Sequence, residues 1–232
     1  MTLFSHNGGR PKVLVVVAHP DDETLGAGGT VAKLAGLGSE VWVTIVCDGV
    51  TARHAEVDRQ KECAQRACDL LGVSRVVFCD LPDQRLDSLS LIDVIGPIER
   101  CVGQLRPDMV LTHFEEDVNQ DHGIVCRATM VATRPTPGSS VRTVMCFETA
   151  SSTEWAPPFG GSTFSPTVFV DIASTLGTKI DAMRAYADTH ACEVKPYPHP
   201  RSLEAIEVYA KRHGIAVGME AAEPFMLVRG IA

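Results

Sequence analysis

VLVVVAHPDDETLGAGG, residues 13–29, runs from six aliphatic residues straight into a histidine, a proline and three consecutive acids. Val13–Ala18 is continuous, apolar and rich in β-branched side chains, the pattern of a strand buried on both faces. The junction after it poses an electrostatic problem. His19, Asp21, Asp22 and Glu23 crowd one tight turn at the mouth of a hydrophobic element, where like charges repel and lose hydration. Such a cluster either faces open solvent or shares something positive. Acids in the first turn of a helix also meet the macrodipole favourably, so Asp21 or Asp22 could be no more than a cap. A cap does not account for the histidine that precedes the acids.

Working outward, Thr24–Leu37 reads as a helix, Val41–Cys47 as a second buried strand, and Glu56–Leu71 as a helix stopped by Gly72. Strands are expected at Arg75–Cys79, Met109–Thr112, Arg142–Phe147, Thr167–Val170 and Phe225–Val228. Helices are expected at Ser90–Gln104, His122–Thr133, Ala173–Tyr186 and Ser202–Arg212. Strand and helix alternate at least four times. The fold class is therefore α/β, a Rossmann-like, mostly parallel sheet with helices on both faces. Ligands in such sheets collect at the carboxyl ends of the strands. Those ends carry His19, Asp48, Asp80–Asp83 and His113.

The 232 residues, with no linker or repeat, read as a single domain spanning 1–232, with residues 1–11 as a flexible N-terminal segment. Hydrophobic content is 45% and charged content 22%, enough for a sizeable core. A formal net charge of −8 argues against nucleic acid as a partner. No apolar run approaches the roughly 20 residues of a membrane span. The opening MTLFSHNGGRPK lacks the long apolar core of a secretory signal, so a cytoplasmic location is expected. The eight cysteines form no CxxC pair, and buried thiols acting as small hydrophobes are expected.

A second polar cluster comes after the fourth expected strand: THFEEDVNQDHGIV, with His113, Glu115, Glu116, Asp117, Asn119, Asp121 and His122. Pro20 fixes the backbone between His19 and Asp22, so both can face one point. Two imidazoles and one carboxylate, with a fourth position left for water, are the ligand count of a catalytic zinc site. Zinc would be the positive partner that the opening stretch lacks. The glycines of GAGGTVAKLAG loosely match a phosphate-binding loop. HPDDE, however, stands where the dinucleotide fingerprint places its glycines, and its carboxylates repel phosphate. Gly26, Gly28 and Gly29 are expected instead to let the helix pack closely on the sheet.

AHPDDE after the first strand and DVNQDH after the fourth resemble the LmbE-like, or PIG-L, family of zinc-dependent N-deacetylases. Weaker signposts are Asp48-Gly49, RQKE at 59–62, LLG ending at Gly72, LPD ending at Asp83, HPRS from His199 and AEPF ending at Phe225. The resemblance implies one Zn²⁺ per chain held by His19, Asp22 and His122, Asp21 as general base, and Asp121 as a carboxylate that orients the site. It also implies that Arg59 and Asp83 face substrate hydroxyls. Many family members carry a histidine three residues before the last ligand, where it helps stabilise the oxyanion. This chain has Asn119, which donates a hydrogen bond but delivers no proton near neutral pH.

The reaction so implied is hydrolysis of an N-acyl group, foremost N-acetyl, from an amino sugar or amino-sugar conjugate. The partner is a small N-acylated molecule; homo-oligomerisation stays open. Alternatives are deacylation of a non-sugar natural product or thiol precursor, a metallo-phosphoesterase with a second ion at Asp117, Glu115 or Glu116, and a non-catalytic nucleotide-binding module. The pocket walls are expected at Val50–Ala55, Gly138–Ser140, Ser151–Ser165 and His190–Arg201. Trp155, Phe159 and Phe164 in the third of these either offer an aromatic surface to the substrate or pack back on the core.

Overall fold

The computed structural model describes residues 9–49, 57–157, 161, 163–188 and 193–231. Seven strands form one sheet: β1 (Val13–Val17), β2 (Val41–Cys47), β3 (Arg75–Leu81), β4 (Met109–His113), β5 (Thr143–Phe147), β6 (Val168–Asp171) and β7 (Ala222–Gly230). Their order is β3-β2-β1-β4-β5-β7-β6. The first five are mutually parallel, β1 lying between β2 and β4 with Val13 opposite both Val41 and Met109. β7 runs antiparallel to both β5 and β6 and closes that edge.

The helices are α1 (Asp22–Gly36), α2 (Val57–Leu70), α3 (Leu91–Leu105), α4 (Gln120–Ala132), α5 (Leu176–Arg184) and α6 (Leu203–Val217). β1 explains why its sequence shows no polar alternation. Val13, Val15 and Val17 enter a core shared with α1, α2, α5 and α6, while Leu14, Val16 and Ala18 enter a second core shared with α3 and α4. All six are fully buried, so both faces of the strand demand apolar side chains. The glycines of α1 do let the helix close on its neighbours. A Cβ on Gly26 would stand 2.2 Å from Phe147 Cδ2, and one on Gly29 would stand 2.8 Å from Ile172 Cδ1.

The sequence expectations for the elements hold with shifted ends. α1 begins two residues earlier, at Asp22, and β7 is longer than Phe225–Val228. α5 stops at Arg184 and passes into a 3₁₀ turn over Ala185–Asp188. The seven described cysteines are free, six of them buried. Among the described residues no helix is long and apolar enough to cross a membrane. Residues 1–8, the Val50–Ala55 wall and Phe159 lie outside the described residues.

Strand order reverses between β1 and β4, so the chain leaves the sheet in opposite directions beyond their carboxyl ends and opens a crevice there. His19 comes just after β1, His113 ends β4, and Asp121 and His122 open the helix after β4. The topology therefore brings the two polar motifs face to face.

Candidate active site

Asp22 is the hub. Its Oδ2 accepts a hydrogen bond from the His19 backbone N–H at 2.8 Å. The same oxygen lies 3.3 Å from His19 Nδ1, 3.3 Å from His122 Nε2 and 3.4 Å from His113 Nε2. All four side chains are buried. Burial alone would push the Asp22 carboxyl up, but the imidazole of His122 outweighs it and holds the group well below the usual carboxylate range. Neither acid serves as a helix cap. Asp21 occupies the N-cap position of α1 without any side-chain cap bond, and the Asp22 carboxylate is spent on the histidines.

The three histidines are not equivalent. His113 Nε2 accepts the Ala18 backbone N–H at 2.9 Å, and Nδ1 pairs with Thr149 Oγ1 at 3.1 Å. Both ring nitrogens are thus engaged within the protein, and burial pushes the His113 pKa down to about 4. It is a neutral packing histidine, stacked on His122 at 3.9 Å between ring centroids. His19 and His122 differ, since each points one nitrogen at Asp22 and has the other steadied by a carboxylate. His19 Nε2 is 3.3 Å from Asp121 Oδ2, and His122 Nδ1 is 3.2 Å from Asp117 Oδ2. Burial opposes protonation of both rings, yet these carboxylates raise both above the ordinary histidine value.

Among the described residues, two trios of side chains have the geometry to hold a metal ion: His19, Asp22 and His122, and His19, Cys47 and Asp121. The first fits a tetrahedral ion well. Ligand atoms about 2.0–2.1 Å from such an ion stand roughly 3.3–3.4 Å apart, as both imidazole nitrogens do from Asp22 Oδ2. Asp22 Oδ1 and both ring nitrogens of His122 have no hydrogen-bond partner despite burial, Nδ1 facing Asp117 only at ion-pair distance, a costly condition that an ion at Nε2 would partly relieve. The second trio is already satisfied. Asp121 accepts the backbone N–H groups of Gln84 at 2.8 Å and Leu86 at 3.2 Å. Burial pushes the Cys47 thiol up to about 11, which keeps it protonated.

Together with His19, Asp21 lines a cleft of about 460 Å³. Its backbone is left-handed, φ 105°, a conformation that costs a non-glycine residue about 1–3 kcal/mol. Glu23 offsets this by accepting the Asp21 N–H at 3.1 Å while it is itself held by Tyr186 Oη and Thr24 Oγ1, each at 2.7 Å. Burial pushes the Asp21 carboxyl well up; the Arg201 guanidinium, with Nη1 3.0 Å from Asp21 Oδ2, only partly offsets it. Arg201 also pairs with Glu193 and donates from Nε to Ser151 Oγ at 2.8 Å.

Asn119 and Asp83 line the same cleft. Asn119 caps α4, its Oδ1 accepting the Asp121 N–H at 3.0 Å. Asp83 Oδ1 stands 3.4 Å from His19 Nε2. Arg59 is not brought to the cleft formed by the described residues; it lies on the first turn of α2, partly exposed, 3.2 Å from Glu62. Gly138–Ser140 cannot wall the pocket as expected. That loop precedes β5, at the amino ends of the parallel strands, where Arg106 donates to Gly138 O. The aromatic loop divides between its two readings. Phe164 packs on Phe114 at 5.6 Å, whereas Trp155 is exposed in the cleft. Sequence reasoning missed Arg201, Gln84, and the distinct parts played by Asp117 and His113. HPRS was visible as a signpost, but its partner Asp21 is far away in the chain.

A mostly parallel α/β sheet with a His/Asp centre at its switch point places a candidate metal site where such sheets take their ligands. The chain belongs to the PIG-L family, GlcNAc-PI de-N-acetylase, whose model matches residues 14–133. It is 30% identical to the uncharacterized deacetylase YaiS of Escherichia coli (strain K12), over 79% of this chain and 95% of that one. It is 26% identical to the 1D-myo-inositol 2-acetamido-2-deoxy-alpha-D-glucopyranoside deacetylase of Mycolicibacterium smegmatis, over 96% and 91% of the two chains. Among solved structures, the 4-carboxy-2-hydroxymuconate hydratase of Pseudomonas putida KT2440 is similar with a TM-score of 0.75 at 23% identity, covering 95% and 98%. That likeness is one of fold alone, so the reaction has to be argued from the site.

Proposed function

We propose that the protein is a zinc-dependent N-deacetylase of an amino sugar or amino-sugar conjugate. The observation that carries the reading is the division of two adjacent acids. Asp22 is held ionised among imidazoles with an unpartnered oxygen, while Asp21 is turned into the cleft with a raised pKa. His19 Nδ1, Asp22 and His122 Nε2 would hold one zinc ion. Bound there, zinc supplies polarisation of the acyl oxygen and acidification of a water molecule.

The remaining work belongs to the chain's own side chains. Asp121 and Asp117 keep the His19 and His122 rings in the tautomers that point a lone pair inward. Asp21, basic because it is buried, takes the proton as water oxygen bonds to the acyl carbon. It returns that proton to the amide nitrogen as the C–N bond breaks, leaving acetate and a free amine. Arg201 holds the Asp21 carboxylate in place between those transfers. The Asn119 amide, whose oxygen makes the cap bond, would donate from Nδ2 to the developing oxyanion. Asp83 and Gln84 present hydrogen-bonding groups to sugar hydroxyls on the His19 side of the cleft.

The test is a panel of N-acetylated amino sugars and conjugates offered to the zinc-loaded protein. Acetate and amine should appear in equal amounts and cease on chelation. Asp21→Asn should keep its metal yet lose about 10²–10⁴-fold in turnover. Release of phosphate from phosphoester substrates, or no amine from any candidate, would refute the reading.

A further inference from the structure

Gln84, in the turn after β3, has a left-handed backbone, φ 54°. That conformation costs a non-glycine residue free energy and persists only where the surroundings hold it. The holding contacts run into the metal centre. The Gln84 backbone N–H donates to Asp121 Oδ2 at 2.8 Å, and its side-chain amide nitrogen lies 3.2 Å from His19 Nε2. A side-chain amide carries a donor and an acceptor on one fork. It therefore engages that ring nitrogen whether Nε2 is bare or bears a proton.

The two atoms that Gln84 covers belong to the trio His19, Cys47 and Asp121. His19 Nε2 is 3.3 Å from Asp121 Oδ2, and Cys47 Sγ is 3.6 Å from the same oxygen. Asp83 Oδ1 stands 3.4 Å from Nε2. Uncovered, the group would offer one nitrogen, two carboxylate oxygens and one sulfur, a donor set suited to a soft divalent ion. The two trios use the His19 ring from opposite nitrogens. A neutral imidazole has a single free lone pair to give, so an ion on one side disfavours an ion on the other. The Asp22 side keeps unpartnered atoms, Asp22 Oδ1 and both His122 ring nitrogens. The Cys47 side is capped by Gln84.

We propose that Gln84 is a metal-selecting residue: it closes the Cys47 side of His19, so that a divalent ion settles on the Asp22 side alone. The choice of the Asp22 side rests on the ligand set of the proposed function. The closure of the Cys47 side rests on the contacts of Gln84. The strained backbone is what aims both its N–H and its amide at the same pair of side chains.

The probe is cadmium, a soft ion whose bond to a thiolate absorbs in the ultraviolet; the Cys47 proton passes to the buffer as that bond forms. The full chain, stripped by chelator, is titrated with cadmium while this absorption and the bound stoichiometry are followed. Wild type should take one ion without the thiolate band. Gln84→Gly, which suits the left-handed backbone, should gain the band, and Gln84→Gly/Cys47→Ala should lose it again. In a His122→Ala background, which disables the Asp22 side, Gln84→Gly should tighten cadmium binding by about 10–100-fold. A variant that merely misfolds exposes other thiols and keeps the band without Cys47. A band in wild type, no band in Gln84→Gly, or a band that survives Cys47→Ala overturns the role of Gln84. The deacetylase ligand set fails separately. Wild-type ion binding that is indifferent to His122→Ala removes that set, while a band gained in Gln84→Gly still leaves Gln84 as the closure of the Cys47 side.

Discussion

His113 offers a quantitative check on the site, because the structure assigns it no metal. Its Nε2 is committed to the Ala18 N–H and its Nδ1 to Thr149, and burial brings its pKa down to about 4. In the unfolded chain the value is about 6.5. Between those limits the unfolded state binds a proton that the folded state refuses, so folding weakens as pH falls. The stabilisation is complete above about pH 6.5 and lost by about pH 4, and the difference corresponds to about 3 kcal/mol. His113→Gln removes this titration. His19 and His122, raised in the metal-free chain, pull the opposite way; because His122 interacts with His113, its titration is followed separately in each protein. Urea unfolding of the chelated wild type and variant across pH 4–7.5 should give curves that converge toward acid, the wild type losing about 3 kcal/mol more. Imidazole NMR should show His113 neutral throughout most of that range. Parallel stability curves would refute the assignment of His113 as a locked, neutral ring and return it to the candidate ligands.

Gly26→Ala places a methyl 2.2 Å from Phe147 Cδ2 and should destabilise by about 1–3 kcal/mol in chemical denaturation. Gly36→Ala, with nothing within 4 Å of its Cβ, should leave stability unchanged or raise it by about 0.4–1 kcal/mol. Asn119→Ala should cost about 1 kcal/mol through the lost helix cap, read from thermal melting of the metal-loaded protein. It should also lower turnover by about 10–10³-fold through the lost oxyanion donor. A stability loss with unchanged turnover would confine Asn119 to capping.

The parts legible in the sequence were those written within a few residues of each other. The aliphatic run of β1 has no alternation because both faces meet a core, and that condition leaves a local trace. His19 and Asp22 are three residues apart across a proline turn, so their convergence follows from backbone geometry. The pairing of that turn with Asp121 and His122 could be anticipated because parallel strands carry their carboxyl ends to one edge. The pieces that escaped depend on loops meeting across the crevice. Arg201 reaches Asp21 only because the segment before α6 folds over the strand ends, and no periodicity records that. Gly138–Ser140 failed as a pocket wall for the complementary reason. Its polar, glycine-containing composition fits a loop at either end of the sheet, and only the register of β5 fixes which end.

The placement of Asp21 and Asp22 shows why the turn is built with a backbone that most residues avoid. Were Asp21 in an ordinary helical conformation, it would begin α1 with its carboxylate at the cap, competing with Asp22 for the same positive surroundings. The left-handed φ of Asp21 turns its side chain out of the helix start, and the Glu23 carboxylate secures that turn from within the core through the Asp21 N–H. Asp22, the next residue, is then free to enter the helix and meet the imidazoles. Two neighbouring acids thereby acquire opposite environments. One is stabilised as an anion by histidines; the other is desolvated and answered by a single guanidinium. Environments that drive paired carboxyl groups apart are what separate a permanent anion from a proton acceptor. In the proposed reaction, the strain at Asp21 is the structural means by which one dipeptide supplies both.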